Sequence, residues 1–175
     1  MDKEAEHRHL IWKTLGRTWL DDFKIFNIYR VERETADGIR GSFFEVEAPD
    51  WVTIVPRITD PLLGDCFLMV RQYRHGNDSI TVEFPAGMVE EGEAAGHSAR
   101  RELMEETGYE IGSLTTLGSV SPNPAFMSNT LHIYLAEDLR LIREQELDEH
   151  EFIDIVTVPV ADVIARMGTG EYNNG

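Results

Sequence analysis

Basic charge is what this chain of 175 residues has least of. Sixteen lysines and arginines stand against 32 aspartates and glutamates, a net charge of −16 at pH 7. That balance excludes a basic surface for nucleic acid. It also repels an anionic substrate unless a cation or local arginines intervene. Cysteine is nearly absent. Cys66 stands alone, so no internal disulfide can form, and a reducing compartment fits. Its place in the apolar run CFLMV points to a buried bystander. No apolar run reaches membrane-spanning length. The charged start, MDKEAEHRHL, lacks the apolar stretch of a signal peptide. A cytoplasmic location is expected, with neither nucleic acid nor membrane as partner.

Composition is otherwise that of a folded globular domain, 42% hydrophobic and 27% charged. The length suffices for a sizeable core. Residues 1–20 are mixed, with Trp12 and Trp19 expected in packing or dimer contacts. From Phe23 the pattern turns to strands: FKIFNIYRVERE, then GSFFEVE beyond the turn residues Ala36-Asp37-Gly38, read as a hairpin or short meander. WVTIVPRI, CFLMVRQYR, SITVEF, residues 111–120, LHIYLAEDL and FIDIVTVPV read as further strands. A helix is expected from about Ala95 to Thr107, because Ala95, Ala99 and Leu103 make an apolar stripe at i+4 and Gly108 can stop it. ADVIARM reads as a second helical segment. Strands with one or two helices interspersed predict a mixed α/β or α+β fold with a substantially antiparallel sheet. The chain stops soon after a helical pattern, at Tyr172-Asn173-Asn174-Gly175. A chain cut short at its C-terminus is one reading of that ending.

The stretch GMVEEGEAAGHSARRELMEETGY carries the chemistry. Glu102, Glu105 and Glu106 fall at i, i+3 and i+4, which puts them on one helical face. Like charges so placed repel. A divalent cation is the natural counter-charge, and oxygen ligands select a hard ion, Mg²⁺ or Mn²⁺. Arg101 is expected to pair with Glu93 and pin the loop to the helix. His75, His97, His132 and His150 lack paired ligand spacing and read as structural or surface residues. Trp51, Tyr73 and Phe126 are expected in the core rather than against a base.

The same stretch resembles the signature of the Nudix hydrolases, through Gly87, Glu93, Arg101, Glu102, Leu103, Glu105, Glu106 and Gly108, with Tyr109 departing from an aliphatic position. That resemblance implies the Nudix fold, a mixed sheet sandwiched between helices with an N-terminal antiparallel β subdomain. It divides the chain into 1–50, a β-rich dimerisation segment, and 51–175, the hydrolase domain. VRQYR followed by EFPAG is similar to the ADP-ribose and nucleotide-sugar pyrophosphatase branch, and Pro124 occupies that branch's marker position. The resemblance implies metal ligands at the Ala86 carbonyl, Glu102, Glu106 and Glu151. It implies Glu149 as general base, with Glu105 and Arg101 beside it among the catalytic candidates, and Glu146 as a lesser alternative base. Substrate contacts are implied at Arg74, Met88, Ser128 and Asn129. Gly87, Glu93, Gly108 and Pro124 are structural in the motif. The expected activity is Mg²⁺-dependent hydrolysis of a nucleoside-diphosphate sugar, by a homodimer. Alternatives are another nucleoside diphosphate derivative, such as a dinucleotide or a nucleoside triphosphate, or a non-catalytic sensor of ADP-ribose-like ligands. Asn129 stands where ADP-ribose enzymes often carry a glutamate, which leaves the sugar open.

Overall fold

A computed structural model describes residues 7–173. The charged start up to Glu6 and the closing pair Asn174-Gly175 lie outside the described residues. Two compact units are present. The first comprises the described part of Met1–Pro49 together with Ser121–Thr130, and the second comprises Asp50–Val120 and the described part of Leu131–Gly175.

The first unit is a three-stranded antiparallel sheet of β1 (Trp12–Asp22), β2 (Asn27–Thr35) and β3 (Arg40–Glu47). β2 and β3 form the expected hairpin, with Gly38 in the left-handed region (φ 81°) at the turn. β1 is a strand that the residue pattern does not announce. Its pairing with β2 shifts between Thr14 and Gly16 and again between Trp19 and Asp21, so no alternation survives along it. Trp12 packs edge-on against Phe43, while Leu15, Trp19 and Phe44 are exposed. The segment 121–130 joins this unit through Val46, whose N–H donates to the Phe126 carbonyl and whose carbonyl accepts from the Ser128 N–H.

The second unit is built on a seven-stranded sheet. β4 (Trp51–Asp60), β5 (Gly64–Arg74), β6 (Ser79–Glu83), β7 (Ala86–Met88), β9 (Ser113–Val120), β10 (Leu131–Glu137) and β12 (Ile153–Pro159) take part. The path runs β12-β5-β4-β10-β9, with β6 on β5 and β7 on β4. Only β4 and β10 pair in parallel. β8 (Tyr109–Glu110) and β11 (Arg140–Leu141) form a small separate ladder.

Two helices cover this sheet, α1 (Ala95–Thr107) and α2 (Val160–Arg166). α1 buries Ala99 and Leu103 against Val52, Ile54, Tyr134 and Ala136. α2 buries Val163 against Met69, Val82 and Val158. Directly paired residues share a face, and neighbours along a strand alternate. Ile58 pairs with Cys66, so Val52, Ile54, Cys66, Leu68 and Val70 lie on the α1 face. Phe67 pairs with Val158 and Arg71 with Val82, so Met69 and the α2 cluster lie on the other. The sheet is therefore sandwiched between helices. Cys66 is fully buried and free. Tyr73 and Phe126, expected in the core, are instead 46% and 47% exposed. No helix among the described residues is long and apolar enough to cross a membrane.

Candidate active site

α1 forms as its stripe dictates and ends where Gly108 adopts the left-handed conformation, its N–H donating to the Met104 carbonyl. The alternation argument puts Arg74, Glu83 and Gln72 on the face that α1 covers, because Glu83 pairs with Val70. The carboxylates of α1 are not equivalent there. Glu106 is only 3% exposed, and its Oε2 has no hydrogen-bond partner. Burial pushes the Glu106 carboxyl up to about 9, and the charges of Glu151 and Glu102 add to that. The Ala86 N–H, which donates to it, and the Arg74 charge work the other way. Burial also raises Glu102, with Arg101 opposing it and Glu105 and Glu151 reinforcing it. The charge of Glu151 thus bears on both Glu102 and Glu106.

Gly87 has a specific steric reason. A Cβ placed on it would stand 2.0 Å from the Glu102 Cδ, so the carboxylate lies directly on the glycine backbone. β7 holds that backbone through pairing of Gly87 with Val52.

Arg101 ties the signature together. Its Nη2 donates to Glu93 at 3.2 Å and to the Met88 carbonyl at 3.0 Å. Its Nη1 donates to Glu102 at 2.9 Å and to Glu105 at 3.1 Å. The Ser98 hydroxyl donates to Glu93 at 2.7 Å, which secures the loop end of this knot. Burial disfavours the arginine's charge, but Glu93 and Glu102 more than offset that and raise it. The expected Arg101–Glu93 pair is present. The added bonds to Glu102 and Glu105 are what sequence spacing does not disclose.

The late acidic segment is anchored to the end of α1. Glu146 N–H donates to the Glu105 carbonyl, and the Gln145 amide donates to the carbonyls of Glu106 and Ile153. A Cβ on Gly108 would collide with the Arg143 carbonyl at 2.1 Å, so the glycine also makes room for this segment. Beyond the anchors, Glu151 N–H donates to the Asp148 carbonyl, and Glu149 stands exposed. Glu146 pairs with Arg143.

Arg74 meets Glu83 through two bonds of 2.8 Å, Nε to Oε1 and Nη2 to Oε2. Neither Glu83 nor Gln145 was expected among the site residues. The signal for Glu83 was a charge at an inward position of the strand SITVEF, between Val82 and Phe84. Met88 is exposed at its side chain. Pro124, Ser128 and Asn129 belong to the first unit. There the buried Asn129 donates to the Pro49 carbonyl at 3.0 Å, and the Ser128 hydroxyl donates to the Val46 carbonyl at 3.4 Å.

Among the described residues, no three His, Cys, Asp or Glu side chains are already gathered into a metal-holding group. The donor set nevertheless fits a hard divalent cation. Glu106 presents a buried carboxylate oxygen without a partner, and Glu102 and Glu151 press their charges on it.

Known proteins resemble this chain over most of its length. The model of the NUDIX domain family matches residues 30–173. The ADP-ribose pyrophosphatase of Bacillus subtilis (strain 168) is 33% identical over 160 residues, which cover 91% of this chain and 84% of that protein. The ADP compounds hydrolase NudE of Escherichia coli (strain K12) is 29% identical over 152 residues, 86% of this chain and 78% of that one. A crystal structure of an ADP compounds hydrolase superposes with a TM-score of 0.80 at 27% identity, covering 93% of this chain and 86% of the other. The chain belongs to the NUDIX domain family and is a Nudix hydrolase.

Proposed function

We propose that this protein hydrolyses the diphosphate of nucleoside-diphosphate sugars, ADP-ribose or an ADP-linked sugar foremost, with Mg²⁺ as its ion and Mn²⁺ as a substitute. The observation that carries the proposal is the buried, unpartnered oxygen of Glu106 on a helix that also bears Glu102. The names of the relatives, ADP-ribose pyrophosphatase and ADP compounds hydrolase, supply the substrate class. Glu102, Glu106, Glu151 and the Ala86 carbonyl would hold the cation. When bound there, a divalent cation polarises phosphoryl oxygens and makes water a better nucleophile.

The chain's own residues do the rest. Arg101 fixes Glu102 and Glu105 through the bonds described above. Arg74 binds the substrate's diphosphate with the part of its guanidinium that Glu83 leaves open. Glu149 accepts the proton of the attacking water. The water oxygen bonds to one phosphorus, the bridging P–O bond breaks, and nucleoside monophosphate and sugar phosphate leave. The exposure of Glu149, between the anchors at Gln145 and Glu146 and the start of β12 at Ile153, suits a base that closes over substrate and then releases product.

Glu149→Gln tests the assignment of the base. The expected result is a fall in kcat of about a hundredfold or more with KM changed little. An unchanged kcat at saturating ADP-ribose would remove Glu149 from that role.

A further inference from the structure

Glu83 is a buried charge, 8% exposed, that the reaction steps above do not use. It is held from two sides. Arg74 donates to both of its oxygens, and the buried Thr81 hydroxyl donates to Oε1 at 2.8 Å. A fork-to-fork pair sets the plane of a guanidinium as well as its position. It occupies Nε and one bond from Nη2, and directs Nη1 away from Glu83. Arg74 also feels the charges of Glu106 and Glu151. An arginine released from Glu83 has a long, flexible stem, and its approach would favour the ionised form of Glu106 and pair with Glu151. A guanidinium lying on those carboxylates would compete with a cation for the same oxygens.

We propose that Glu83 is a positioning residue: it holds Arg74 off Glu106 and Glu151, so that the carboxylates stay available to the divalent cation and Nη1 stays available to the diphosphate. The proposal rests on the metal-binding face assigned above. Thr81 serves it by fixing the carboxylate that does the holding.

The test is Mn²⁺ binding to the metal-free full chain, read from the paramagnetic resonance signal of the free ion, so turnover is not needed. Glu83→Gln keeps the shape but removes the charge and one acceptor. It is expected to weaken Mn²⁺ binding by about fivefold or more, while Arg74→Met binds at least as tightly as wild type. The double variant Glu83→Gln/Arg74→Met is expected to return to within about twofold of wild type, because the harm done by losing Glu83 acts through Arg74. Melting is read beside binding, because an Arg74 left unpaired could also disturb the fold: weakened Mn²⁺ binding in a Glu83→Gln chain that melts as wild type does supports the positioning role, and affinity that falls only in step with melting overturns it. Thr81→Val leaves Glu83 in place and is expected to shift binding in the same direction by about twofold. It decides the matter if Glu83→Gln does not fold. Unchanged binding in Glu83→Gln, or in Thr81→Val where that variant decides, overturns the proposal. So does a double variant as weak as Glu83→Gln. Wild type that binds no Mn²⁺ overturns the metal-binding face as well. Normal wild-type binding with unaffected variants overturns the positioning role alone.

Discussion

Glu106→Gln is expected to lower kcat on the order of a thousandfold with Mg²⁺ present, while the fold survives. The size is that of losing the proposed ligand of a cation that would supply several kcal/mol of charge stabilisation in the transition state. The survival follows from protonation. With its carboxyl pushed up to about 9, Glu106 in the metal-free protein is neutral at pH 7, and glutamine is its neutral isostere. The pH dependence has a definite sign. The folded carboxyl lies above its ordinary value of 4.5, so the folded chain keeps a proton that the unfolded chain has lost. The stability tied to that proton is full below about 4.5 and is lost as pH rises through about 9. Melting of the metal-free wild type therefore falls more steeply between neutral and alkaline pH than melting of Glu106→Gln. Metal must displace the same proton, so metal binding tightens as pH rises toward about 9 in wild type and loses that dependence in the variant. Near-normal turnover in Glu106→Gln would show that the metal assignment is wrong.

Gly87→Ala is expected to be nearly as harmful, although it adds a single methyl group. The new Cβ would meet the Glu102 carboxylate at 2.0 to 2.3 Å, closer than real contacts allow. β7 cannot easily retreat, because Gly87 is paired with Val52 on β4. Glu102 has to move, and it carries the Arg101 bond with it. A displacement of about 1 Å in a reacting constellation costs about a hundredfold in rate. Turnover and Mn²⁺ affinity should fall together in this variant. A Gly87→Ala enzyme with wild-type kcat and metal affinity would mean that Glu102 does not work from the position seen here.

The contrast between Glu102 and Glu106 shows what sequence discloses and what it withholds. Spacing at i and i+4 put both on one face of α1, and the stripe of Ala95, Ala99 and Leu103 predicted that helix to its last residue. Spacing is a local property, so it could not say that Glu106 is buried and Glu105 is not. That difference arises where β7 and the segment after Arg143 close over the end of α1. The hairpin of β2 and β3 was legible for the same local reason, since turn chemistry and alternation are written along the chain. β1 was not, because its two register shifts erase the alternation. The parallel pairing of β4 with β10 joins segments distant in sequence and leaves no local mark. Arg74 was singled out through resemblance. Its partner Glu83 carries no such local mark, because a lone glutamate in a strand looks like a surface residue until the face that α1 covers is known.

A substrate panel tests the proposed reaction most directly. ADP-ribose, ADP-glucose, GDP-mannose and UDP-glucose would each be incubated with the wild-type chain and Mg²⁺, with chelator controls, and the products identified by phosphorus resonance. The predicted result is a nucleoside monophosphate and a sugar phosphate, fastest from an ADP-linked sugar and abolished by the chelator. Tight binding of these compounds with no phosphomonoester released from any of them, or release that persists in excess chelator, would contradict it.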